Sequence, residues 1–99
     1  MPKLVADPSD LDSVVHWILR HPELAHLRAK RRSDLLTIVS GPEDDSIPHA
    51  RLRRATKQWW TLEVCNHSGQ WEPTPVRASI LVVLDTLAND FPWAITPRE

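Results

Sequence analysis

Cys65 and His67 stand two residues apart in QWWTLEVCNHSGQWEPTP (Gln58 to Pro75), and a thiol beside an imidazole is the pair from which a nucleophile and its base are built. That chemistry needs the fold to bring the two groups together. Residues i and i+2 share a side only while a strand continues, and Asn66, His67, Ser68 and Gly69 have the composition of a turn. The expected arrangement is therefore a packed cysteine on a strand and a histidine in a turn, with no catalytic residue assigned and no enzymatic activity.

Five histidines raise the question of a metal. His16, His21 and His26 recur at intervals of five, which misses the i, i+4 pair of a zincin helix, and no glutamate follows the first of them. The single cysteine leaves too few thiolates for the common structural zinc sites and permits no intrachain disulfide. Glu43, Asp44 and Asp45 in GPEDDSIP are consecutive, whereas a calcium loop alternates its oxygen ligands, so they read as a solvated loop. With only Gly41 and Gly69 in the chain, neither a P-loop nor a dinucleotide fingerprint can form. No metal and no cofactor is expected.

The most suggestive constellation is basic. RAKRR (Arg28 to Arg32) and RLRR (Arg51 to Arg54) are followed by Lys57 and the indoles Trp59 and Trp60. Cationic side chains along a strand with indoles beside them can follow a single-stranded backbone while bases stack on the rings. No RNP-type aromatic motif, GXXG loop or helix-turn-helix accompanies them. Tryptophan also anchors protein partners, since it is enriched among binding hot spots. Trp59 alternates with Trp60 and must face the opposite side of the strand, with Trp71 accompanying it across the hairpin. The candidate binding surface is Trp59, Trp71, Arg51, Arg53, Arg54 and Lys57. The competing arrangement covers Trp59 with arginine stems or with the proline-rich return strand.

These residues need elements to hold them. In DPSDLDSVVHWILRHP, Ser9 or Asp10 can cap a helix whose stripe is Leu11, Val14, Val15, Ile18 and Leu19. Pro22 ends it and opens a short second helix through PELAHLRAK, with Leu24 and Leu27 buried. Leu35 to Ser40 is the first strand, and HARLRRAT is a second strand or a helical turn. Trp60, Leu62 and Val64 alternate as the core face of a third strand, with Trp59, Thr61, Glu63 and Cys65 opposite. NHSG is the turn, and QWEPTP returns as an edge strand that Pro73 and Pro75 keep from a full ladder. RASILVVLDTLANDF is a buried final helix bearing Ile80, Val83, Leu84 and Leu87, widened by Leu81 and Val82. PWAITP supplies a last short strand before a charged tail, and Trp17, Trp60 and Trp93 enter the core.

The order α, α, β, β, β, β, α, β predicts a single α+β domain over residues 1–99: an antiparallel sheet of about four to five strands packed on one face by two main helices. A composition of 41% apolar and 25% charged residues is that of a globular chain, and 99 residues suffice for one core. A net charge of −1 gives no global attraction to nucleic acid, although Arg20 to Lys57 is rich in cations. No apolar run reaches the ~20 residues of a membrane span, and MPKLVADPSD lacks the layout of a signal peptide, so the cytoplasm is the expected compartment. The expected function is a small soluble protein-interaction or regulatory module, acting on a protein partner or as a homodimer through an open sheet face or an edge strand. The alternative is a single-stranded nucleic-acid-binding protein.

Overall fold

The computed structural model describes residues 4–97, and its first helix, α1, spans Pro8–Leu19. Asp7 is the N-cap, two residues before Ser9 and three before Asp10, the expected caps, because Pro8 has no amide hydrogen to lose and fits the first helical position. The Asp10 carboxylate accepts the Asp7 backbone N–H at 2.8 Å, which satisfies one donor that the first turn leaves free. Val14, Trp17 and Ile18 are the buried stripe. Val15 and Leu19 were expected in that stripe, yet Leu19 is 73% exposed.

Beyond α1 the chain departs from expectation. Pro22–Leu24 forms a single 3-10 turn, and the predicted second helix is replaced by strand β1, Leu27–Arg32. The reason lies in the period: Leu27 and Ala29 pack on the core and alternate with Arg28, Lys30 and Arg32, which is strand spacing. A two-residue turn with Ser33 at φ 56° then leads into β2, Leu35–Ser40. Leu24 and Leu27 are buried as expected. The basic HARLRRAT segment is a strand, β3, Ile47–Arg54, and β4 and β5 follow at Trp60–Cys65 and Trp71–Ala78. The five strands form one antiparallel sheet in the order β1-β2-β3-β4-β5.

The last helix, α2, spans Ile80–Asp90 and buries Val83, Leu84 and Leu87. Leu81 and Val82 do not widen its buried stripe and are exposed. Both helices lie on one face of the sheet, over Leu36, Ile38, Ala50, Leu52, Trp60, Leu62 and Val64. Trp17 Nε1–H donates to Asp85 Oδ1 at 3.3 Å and ties one helix to the other. The fold is thus α+β, with a five-stranded antiparallel sheet and two main helices. None of the described helices is long and apolar enough to cross a membrane.

PWAITP is not a strand. Pro92–Ala94 is a 3-10 turn, since Pro92 cannot donate to a ladder and its fixed φ suits a first helical position. Trp17 and Trp60 enter the core, but Trp93 stays partly exposed beside His67 and Phe91. The charged tail, Arg98 and Glu99, lies outside the described residues.

The β4–β5 connection is the turn that NHSG predicts. Asn66 Oδ1 accepts the N–H groups of Ser68 and Gln70, and Gly69 sits at φ 80°. No atom lies within 4 Å of a Cβ built there, so Gly69→Ala meets only the backbone penalty of the left-handed region. A loss of about 1 kcal/mol in denaturant unfolding is expected, with no change in fold. β5 is an edge strand, and the ladder slips where its prolines lie. There the Thr74 hydroxyl donates to Leu62 O at 2.8 Å, supplying a donor where the neighbouring prolines have none.

Candidate interaction surface

The face of the sheet away from the helices is where the basic residues collect. Leu27 and Ala29 pack inward on β1, so Arg28, Lys30 and Arg32 project from the other side. Ala50 and Leu52 do the same for Arg51 and Arg53 on β3, and Val76 and Ala78 for Arg77 on β5. Register turns these into rows. Arg32 pairs with Leu35, Leu35 with Arg53, Arg53 with Thr61 and Thr61 with Arg77, so three guanidinium groups cross the sheet on alternate strands. Strand spacing sets neighbouring members of that row about 10 Å apart. The next row contains Lys30, Thr37, Arg51 and Glu63.

Glu63 is the carboxylate within this face, and Arg51 holds it in a two-pronged pair: Nε to Oε1 at 3.2 Å and Nη2 to Oε2 at 3.0 Å. The Arg51 guanidinium also lies over the Trp71 ring, 4.2 Å from its centroid. Charge, indole and carboxylate satisfy one another, so Arg51 and Trp71 form a largely closed cluster. Arg53 makes longer approaches to Glu63 at 3.5 Å and to Asp34 at 3.9 Å, and nearly half of its side chain is exposed. Arg28 and Lys30 donate to the 41–46 loop, to Gly41 O and Ser46 Oγ, which are neutral acceptors. That loop also carries Glu43, Asp44 and Asp45, so the positive charge of the face is most accessible at its other end, around Arg32, Arg53 and Arg77.

Trp59 belongs to this accessible end. It precedes β4, alternates with the buried Trp60, and is 45% exposed. Trp71 pairs with Cys65 at the opposite end of β4, so the two indoles do not sit side by side. Six residues of strand separate their positions by about 20 Å.

Arg54 is on the other face. Its guanidinium reaches Val5 O, Asp7 and Asp10 before and within α1, and Thr56 O and Lys57 O in the β3–β4 connection. It also stands over the Trp60 ring. Lys57 is exposed at the tip of that connection. Of the six surface residues read from the sequence, Arg51, Arg53 and Trp71 share the open face, Trp59 borders it, and Arg54 and Lys57 do not belong to it. Arg28, Lys30 and Arg32 belonged to the basic constellation read from the sequence but not to the surface drawn from it, and Arg77 was not singled out at all. The signal for the first three was the alternation in LRAKRR, which a helical reading of that segment obscures.

No protein-family model matches the chain, and no curated protein or solved structure matches it significantly. Function must be argued from the geometry. Cys65 is buried at the end of β4, while His67 is exposed in the following turn with its ring against Trp93. Three of the other histidines are tied to backbone carbonyls, which can only accept: His21 Nδ1–H donates to Trp17 O, His26 Nε2–H to Ile95 O and His49 Nδ1–H to Ala94 O. Among the described residues no three His, Cys, Asp or Glu side chains are grouped so as to hold a metal. Glu43–Asp45 forms an exposed 3-10 turn. A depression of about 320 Å³ lies between Leu24, Ala88, Pro92 and Ile95, with Glu23 as the charged side chain at its rim.

Proposed function

We propose that the protein is a small non-enzymatic interaction module of the cytoplasm, and that its working surface is the uncovered face of the sheet, offered to an acidic protein partner. The observation that carries this reading is the charge of that face, with Arg28, Lys30, Arg32, Arg51, Arg53 and Arg77 set against Glu63. The chain as a whole is close to neutral, yet half of its twelve Lys and Arg residues stand on that face. The same charge disfavours a homodimer through this face, because two copies would oppose like charges.

A second reading is kept by one feature, the exposed Trp59 beside the row of Arg53 and Arg77, which suits stacking on a single-stranded nucleic acid. Titration with polyglutamate and with a mixed-sequence single-stranded oligonucleotide, followed by tryptophan fluorescence at low and moderate salt, separates the two. The protein-partner reading expects polyglutamate to bind and to weaken with salt. The double variant Arg53→Glu/Arg77→Glu should weaken it at least tenfold, about 1.4 kcal/mol. Strong quenching by the oligonucleotide that disappears in Trp59→Ala would move the assignment to nucleic acid. Absence of binding by either polyanion at low salt would refute both.

A further inference from the structure

The sheet has two edges, and they are not alike. β5 carries Pro73 and Pro75, which remove donors from its rim. β1 pairs with β2 alone, contains no proline, and keeps an amide hydrogen at every position of Leu27–Arg32. In a two-residue hairpin the residues flanking the turn, here Arg32 and Leu35, form the closely bonded pair, and pairing alternates from there. The N–H and C=O groups of Leu27, Ala29 and Arg31 then point away from β2, toward the rim.

What flanks this rim differs above and below. On the helix side, Val15, Ile18 and Leu19 of α1 stand beside Leu27 and Ala29 around a depression of about 260 Å³ that Arg28 also borders, while Arg31, next along that side of β1, donates to Ala6 O. Leu19 is the most exposed large apolar side chain among the described residues, and Val15 is partly exposed as well. The depression falls below the ~300–1,000 Å³ of a typical small-molecule site but suits an apolar side chain arriving from a neighbouring strand. On the open side the rim carries Arg28, Lys30 and Arg32.

Resting on the reading of the protein as an acceptor of acidic partners, we infer that β1 takes an extended peptide segment as a sixth strand, and that the segment alternates apolar with acidic residues. A strand laid against β1 sends successive side chains to opposite faces. One set enters the groove beside Leu19, and the other meets the three cations. Main-chain bonds to Leu27, Ala29 and Arg31 supply affinity, and the alternating pockets supply selectivity, as in other cases of strand addition. A second copy of β1 fits poorly, since it would bring its own Arg28, Lys30 and Arg32 against the same charges.

The test uses a labelled seven-residue peptide alternating leucine with glutamate, with fluorescence anisotropy against the full chain at low salt. It should bind at least tenfold more tightly than a peptide of the same composition with its leucines and glutamates in separate blocks. N-methylation of one set of alternate amides should abolish binding, while methylation of the other set should leave most of it, because a strand bonds a rim through every second residue. Ala29→Pro should weaken binding at least tenfold, as should Lys30→Glu/Arg32→Glu. The methylated peptides read the backbone contact without altering the protein, so a poorly folded Ala29→Pro variant does not decide the matter. Equal binding of alternating, blocked and methylated peptides, with loss only in Arg53→Glu/Arg77→Glu, would overturn strand addition and leave the charged face standing. Tight binding of an oligonucleotide with none of the peptide would overturn it in favour of nucleic acid. If neither the peptide nor polyglutamate binds, the inference and the reading beneath it both fall.

Discussion

Arg54→Ala is expected to lower the free energy of unfolding by about 3 kcal/mol in urea denaturation, the cost of removing a partly buried, multiply bonded cation. One guanidinium bonds Val5 O at 2.8 Å, Lys57 O at 2.8 Å, Thr56 O at 3.3 Å and the Asp10 carboxylate at 3.3 Å. Its side chain is 14% exposed and Asp10 is little more accessible, so truncation would leave a poorly hydrated carboxylate and several carbonyls without their donor. The 3.5 Å approach to Asp7 adds little, since that side chain is 57% exposed and water screens the pair. Arg54 joins two parts of the chain that are distant in sequence: residues 5–10, which lead into and open α1, and the β3–β4 connection that follows Arg54 itself. Arg54→Lys should recover at most about a third of the loss, because an ammonium cannot reproduce the five-donor planar fork. Arg53→Ala, on the opposite face of the same strand, should fall within about 0.5 kcal/mol of the parent. Equal and small effects of the two alanine variants would remove the distinction between a structural Arg54 and a surface Arg53.

The contrast between those neighbouring arginines also shows what could be read in the sequence. Alternation in ARLRR (Ala50 to Arg54) says that Arg53 and Arg54 face opposite ways, and Trp60, Leu62 and Val64 were legible as core because their period of two is unbroken. Which face a charged residue takes is harder. Arg54 looks like a surface cation until Asp7 and Asp10 are seen to lie beneath it, and sequence separation hides that. LRAKRR is ambiguous for another reason: its residues are good helix formers, and only pairing with β2 makes the extended form the better one. The second helix was therefore misplaced, and with it the three cations that make the open face basic. PWAITP failed through its prolines. Its aromatic and β-branched residues suggest a strand, but the freed carbonyls of Ala94 and Ile95 find histidine donors instead of a ladder.

Those donors make His49 the site of the second large effect. His49 is fully buried at the point where β3 bulges against β2, with Pro48 opposite Val39 and Ala50 opposite Ile38. Its Nδ1–H donates to Ala94 O at 2.8 Å, so in the neutral ring Nε2 is the acceptor, and the Ser40 hydroxyl donates to it at 2.7 Å. The ring thereby links β2, β3 and the C-terminal turn in a buried relay. The His26 ring stands edge-on to it, 6.0 Å away, and holds the next carbonyl, that of Ile95. His49→Leu keeps the site filled with apolar bulk but deprives Ser40 and Ala94 of a polar partner that water cannot readily replace. The expected loss is about 3 kcal/mol, measured by urea denaturation, with each orphaned group costing ~1–3 kcal/mol. A double-mutant cycle separates this mechanism from simple repacking. If the cost arises from the orphaned hydroxyl, Ser40→Ala should destabilise the parent yet restore about 1 kcal/mol to His49→Leu, whereas independent packing losses would add. Hydrogen exchange should place the first opening at the turn around Ala94 and Ile95, because His49 and His26 are what pin its carbonyls to the body of the protein. Binding of anionic probes to the open face should persist while the sheet remains folded, since this relay fastens the C-terminal turn and contributes none of the cations on the proposed surface.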